Sequence, residues 1–99
     1  MSEAMFSAPL RIGANHPALP GHFPGNPIVP GVVLLRCVAG ALKQWRGETI
    51  SRFDVKFLAP LLPEQDAEIQ LRADAARVRF AIHRDETVLA RGTIEAVQS

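Results

Sequence analysis

The sequence predicts an α+β domain in which an antiparallel sheet of about five strands curls around one central helix. Three observations carry this reading. One apolar stretch of helical length, Val32 to Trp45, contains no proline, and the segments after it alternate apolar and polar residues with the period of two that marks half-buried strands. No linker or internal repeat divides the 99 residues, so a single domain over 1–99 is expected.

The first element is short. Residues 5–13 alternate weakly around Leu10, Arg11 and Ile12, which is enough for a strand ending at Gly13, and Pro9 places that strand at a sheet edge.

Residues 15–36 follow a different rule. They hold five of the eight prolines (Pro17, Pro20, Pro24, Pro27, Pro30) and three of the seven glycines (Gly21, Gly25, Gly31), so the backbone is alternately stiffened and bent and fits neither a helix nor an interior strand. His16 and His22 ride on this path. Pro30 and Gly31 stand where a helix begins. A rigid, irregular segment that carries titratable groups up to a helix N-terminus reads as a site.

Most of the helix circumference is apolar: Val32, Val33, Leu34, Leu35, Cys37, Val38, Ala39, Ala41, Leu42 and Trp45. The helix is therefore expected to be nearly enveloped. Arg36, Lys43 and Arg46 fall within about 80° of one another on the helical wheel. They form a cationic stripe, read first as a solvated face and second as a surface that attracts a phosphate or an acidic carrier protein. Gly47 suits the left-handed position that ends a helix.

Strands account for the rest. Phe53, Val55 and Phe57 alternate with Arg52, Asp54 and Lys56, and the Ala59-Pro-Leu-Leu-Pro-Glu segment breaks that pattern. Ile69, Leu71 and Ala73 form the next apolar face, followed by Val78, Phe80 and Ile82. Asp85-Glu86 supplies a polar turn, and Val88, Ala90, Gly92, Ile94 and Ala96 line one face of the last strand. Such a sheet leaves an edge that can pair with a second copy, so a dimer is expected.

Composition narrows the function classes. A net charge of +1 with no basic block argues against nucleic-acid binding. No apolar run approaches the roughly 20 residues of a membrane span, and the N-terminus shows no signal pattern, which makes cytoplasmic residence the default expectation. Cys37 is the single cysteine, so an internal disulfide and a paired-cysteine metal site are excluded; three isolated histidines make no metal-ligand spacing.

The string His22-Phe-Pro-Gly-Asn-Pro-Ile-Val-Pro-Gly31-Val resembles the β-hydroxyacyl-acyl-carrier-protein dehydratases of fatty acid synthesis, which have the hotdog fold. Asn15-His-Pro and Pro20-Gly-His22 fit that family's approach to the motif. Arg52-Phe-Asp-Val-Lys-Phe-Leu-Ala-Pro-Leu-Leu-Pro resembles its second-strand region, so the likeness covers residues 12 to 97. Without the family's usual N-terminal helix, the chain is similar in size to the compact dehydratase-like proteins of aryl-polyene and polyketide-type clusters.

The resemblance implies a site. His22 would be the catalytic base that moves the α-proton of an acyl thioester, and the backbone N–H at Gly31 or Val32 would contact the developing oxyanion. Phe23, Pro30, Val32 and Arg36 would line the substrate site. The substrate would arrive on the phosphopantetheine arm of an acyl-carrier protein, with no other cofactor. The family's second catalytic residue, an acid fourteen positions after the histidine and supplied across a dimer, is replaced here by Arg36. Arginine stays protonated and has no acceptor, so it cannot take that role. Glu48 and Asp54 are the nearest carboxylates in sequence.

Three readings follow: a dehydratase or hydratase relying on His22; a non-catalytic acyl-thioester or carrier-binding subunit that pairs with an acid-bearing hotdog partner; and, last, a thioesterase. A homodimer and a heterodimer are both compatible with the motif. His16 is expected to be structural, and His83 to be exposed on a strand.

Overall fold

The computed structural model describes residues 4–13 and 28–98. His16, His22 and Phe23 therefore lie outside the described residues. The elements run β1 (Met5–Leu10), α1 (Gly31–Arg46), β2 (Glu48–Phe57), β3 (Ala67–Asp74), β4 (Arg77–Arg84) and β5 (Thr87–Gln98). All strands join one antiparallel sheet in the order β1-β3-β4-β5-β2. Among the described residues this is the expected hotdog arrangement, one helix against one five-stranded sheet. Among the described residues no helix is long and apolar enough to cross a membrane.

The helix has the expected bounds to within a residue at each end. Pro30, with φ −61° and ψ 145°, is the N-cap, and its carbonyl accepts from the Val33 N–H (3.0 Å) and the Leu34 N–H (3.4 Å). Gly47 closes the helix in the left-handed region at φ 68°, where a side chain would be strained, and its N–H donates to the Lys43 carbonyl at 2.8 Å.

Burial of α1 departs from expectation. Val33, Leu34, Val38, Ala41 and Leu42 are buried against the sheet, but Val32, Arg36 and Gly40 are exposed. A single five-stranded sheet covers one side of a helix, so the opposite side stays open in the described chain. The cationic stripe lies on that open side. Arg36 and Lys43 are exposed, whereas Arg46 sits 4.9 Å from the Trp45 ring centre and 3.8 Å from Glu48. Trp45 in turn stacks on Phe6 of β1, with ring centres 6.1 Å apart, and so fastens the first strand to the helix.

Two irregularities set the sheet's shape. Between Ile50 and Arg52 the β2–β5 register slips, leaving Ser51 as the extra residue, and its hydroxyl donates to the Glu95 carbonyl at 2.9 Å. The β4–β5 register slips between Ile82 and His83, so Leu89 becomes the extra residue and both Leu89 and Ala90 are buried. Val88 moves out of the expected apolar face and is exposed beside His83. The Leu89 carbonyl accepts from the N–H groups of Leu58 (2.8 Å) and Ala59 (3.2 Å), which ends β2 and turns the chain.

The face of β2 expected to be half buried is more open than that. Phe53, Val55 and Phe57 do pair with Ile94, Gly92 and Ala90 on the helix side, yet Phe53 and Phe57 are each 48% exposed because β2 is an edge strand. His83 is also not simply exposed: it is half-buried, with Nε2 3.2 Å from the carboxylate of Glu68, its cross-strand neighbour.

Candidate functional site

An apolar groove of about 420 Å³ opens at the N-terminus of α1. Two segments build it. Ile28 and Val29 lead into the helix, and residues 57–61 leave β2; the Val29 N–H donates to the Leu61 carbonyl at 2.9 Å and holds the two together. Leu61 and Val29 are buried, so the join is anchored in the core. Gly31 and Leu34 supply the helix side of the groove, and the Phe57 ring supplies the opposite wall.

The polar component of this groove is backbone. The first N–H groups of a helix have no intrahelical acceptor, and the Pro30 carbonyl is already engaged by Val33 and Leu34. The N-cap makes no side-chain hydrogen bond, and the first turn contains no acidic residue. Among the described residues no side chain meets these N–H groups, and the partial positive charge of the helix N-terminus suits an oxygen carrying negative charge. Gly31 keeps that end bare: a Cβ there would meet the Phe57 ring at 2.7 Å.

The remaining site residues separate into two groups. Gly31 lines the groove, and Pro30 precedes it as the N-cap of α1. Val32 and Arg36 do not line it, since Val32 is 57% exposed and Arg36 lies about 140° around the helix from Gly31. A side chain at position 36 points away from its own chain's groove.

Neither carboxylate considered as a substitute acid reaches the groove. Asp54 alternates onto the sheet face opposite α1, beside Thr93. Glu48 lies near Arg46 at the far end of the helix, roughly 24 Å along its axis from Gly31. Among the described residues, the groove is lined without a titratable group. Cys37 is half-buried on α1, where burial raises its thiol pKa and keeps it protonated. The role of Phe57 and Leu61 was not visible in the alternation of β2; the break at Pro60 and Pro63, beginning three residues after Phe57, is the signal that marks this wall.

The model of the ApeI-like family, described as ApeI dehydratase, matches residues 1–93. The chain belongs to the ApeI-like dehydratase family. Relatives of this ApeI-like chain include the 3-hydroxyacyl-[acyl-carrier-protein] dehydratase FabZ of Haemophilus influenzae, 32% identical over 72 residues that cover 62% of the chain and 49% of the relative. The FabZ of Thermus thermophilus is 28% identical over 94 residues, covering 95% of the chain and 59% of the relative. The chain spans about half the length of the curated relatives it matches. A solved chain from the dehydratase heterocomplex ApeI:P of Xenorhabdus doucetiae superposes with a TM-score of 0.84 at 22% identity, covering 98% of this chain and 90% of that one. That likeness establishes the shared fold.

Proposed function

We propose that this ApeI-like chain is a 3-hydroxyacyl-thioester dehydratase-like protein of fatty acid or polyketide-type lipid biosynthesis, acting on substrates carried by an acyl-carrier protein. The observation that carries this reading is the apolar groove ending on the bare helix N-terminus at Gly31. An acyl chain fits the apolar walls. The thioester oxygen accepts from the Gly31 N–H, which stabilises the enolate formed when His22 removes the α-proton. The proton on His22 then passes to the departing 3-hydroxyl, which leaves as water as the C2–C3 double bond forms. One base on one face of the substrate closes the proton balance without a second acid.

Hydration of an enoyl thioester tests this. Replacing His22 with alanine should abolish the reaction in whichever assembly is active, and an undiminished rate in that variant would refute the role of His22.

A second reading is favoured by one specific observation: position 36 faces outward from its own groove and carries arginine. A residue on that face can serve only another chain's groove, so this chain would contribute His22 and receive an acid from a hotdog partner. The fold neighbour in the ApeI:P heterocomplex supports a paired assembly. If the purified homodimer is inert toward enoyl and hydroxyacyl thioesters but becomes active on mixing with an acid-bearing partner, this second reading holds.

A further inference from the structure

On the sheet face turned away from α1 lies a second groove of about 550 Å³. Its rim carries Lys56 of β2, Arg72 of β3, Arg79 of β4 and Arg91 of β5, against a single lining carboxylate among the described residues, Asp54. The registers place these cations in two cross-strand pairs, Arg72 opposite Arg79 and Lys56 opposite Arg91. Like charges directly opposite one another weaken a sheet. Two such pairs in neighbouring positions therefore call for a counter-charge.

Among the described residues little of it is supplied: the Asp74 charge acts on Arg79 and more weakly on Arg72. Asp74 accepts from Arg79 at 2.6 Å, but Arg72, Arg91 and Lys56 make no ion pair among the described residues. Asp54 stands at the edge of the groove and also lines an adjacent recess with Arg52 and Arg77. Between the two cationic pairs the floor is low, because Ala81 and Thr93 are the outward-facing residues there. At about 4.8 Å per strand the four cations span about 14 Å, a distance over which long Arg and Lys side chains can converge above a small floor.

We propose that this groove is a binding site, separate from the groove at Gly31, for a small ligand carrying two or more phosphate groups. Its volume lies in the range of small-molecule sites. Three of the four cations are arginines, whose planar fork matches phosphate oxygens two at a time. A ligand with several phosphates engages both pairs at once and relieves both repulsions, whereas a monophosphate or a single carboxylate meets only one pair.

Calorimetric titration of the full chain with inorganic tripolyphosphate tests this. Saturable one-to-one binding is expected, weakening as salt is raised, with inorganic monophosphate bound at least about tenfold more weakly because it reaches one pair. Pyrophosphate compared with ADP separates a site that reads phosphates alone from one that also holds a nucleoside, and either result supports the proposal. The Arg72→Gln/Arg91→Gln double variant should weaken tripolyphosphate binding at least about tenfold. Its urea midpoint without ligand should be unchanged or higher, because repulsion is removed. Should that variant fail to fold, Ala81→Glu, which puts a carboxylate on the groove floor, should abolish binding with the sheet intact. Absence of saturable tripolyphosphate binding overturns the proposal, as does equal binding by a folded variant. Capture of an acidic peptide that tripolyphosphate does not displace would also overturn it and mark the face as a protein contact.

Discussion

The ring of Phe57 occupies the space above Gly31: a Cβ added to that glycine would lie 2.7 Å from Cζ and 3.1 Å from Cε1 of the phenylalanine. The contact joins the end of β2 to the start of α1 and defines the mouth of the apolar groove.

Gly31→Ala should therefore separate function from stability. Phe57 is half-exposed and can swing away, so the denaturation midpoint should correspond to a change within about 1 kcal/mol. Hydration of an enoyl thioester should fall sharply, because the displaced ring closes the groove over the helix N–H groups. Adding Phe57→Leu should restore part of the rate. Failure of the second substitution to rescue would separate the ring from the defect.

Gly92→Ala should behave in the opposite way. A Cβ at position 92 would meet the Asp54 carbonyl oxygen at a clashing separation and the Phe80 ring at 3.0 Å. Backbone cannot rotate aside as a side chain can, so β2 and β5 must part locally. A loss of about 3 kcal/mol in urea unfolding is expected.

Arg36→Glu tests the missing acid directly. Position 36 is exposed, so stability should change by less than about 0.5 kcal/mol. If two copies assemble with each helix presenting residue 36 to the other's groove, hydration should rise by up to about 10²-fold. An unaltered rate in a folded variant would show that the absent acid is not what limits this chain.

Acid stability should depend on the Asp74–Arg79 pair. The hydrogen bond from Arg79, and then its charge, hold the Asp74 carboxyl below the ordinary carboxylate value. A lowered folded-state pKa stabilises the fold above the unfolded chain's value, and the contribution disappears as pH falls through the lowered one. Asp74→Asn should therefore flatten the acid limb of a urea-midpoint profile by a small amount and lower the neutral and alkaline limbs by that same small amount without changing their slope. The effect is small because the pair is solvent-exposed.

Much of the fold was legible in the sequence because local pattern and tertiary role agree. Gly47 ends the helix where its freedom at positive φ is needed, and the alternations at Ile69–Ala73 and Val78–Ile82 face the core as they read. The departures have non-local causes. Val88 leaves its apolar face because the slip at Ile82/His83 inserts Leu89, a feature set by the partner strand. The turn at Ala75-Ala76 carries no turn residue, yet Ala75 takes φ 56° because the β3–β4 pairing requires it. At the site, the helix start was legible from Pro30-Gly31, while the wall at Phe57 and Leu61 depends on a contact between segments more than twenty residues apart. The outward direction of Arg36 needed the helix to be docked before it could be read.

The strand order has a further consequence for how the chain is assembled. β2 reaches the sheet only through β5, and β1 only through β3, so α1 and its two flanking strands share no ladder of their own. A nascent chain lacking residues 87–98 leaves β2 without a neighbour, and the helix stays attached to an unpaired edge. The β3–β4–β5 meander can form from local hairpins, but everything before it must wait for those strands and then close over long sequence distances. The wall that β2 lends to the groove at Gly31 is thus fixed last, and a ribosome stalled before Thr87 would hold that wall without the strand that anchors it.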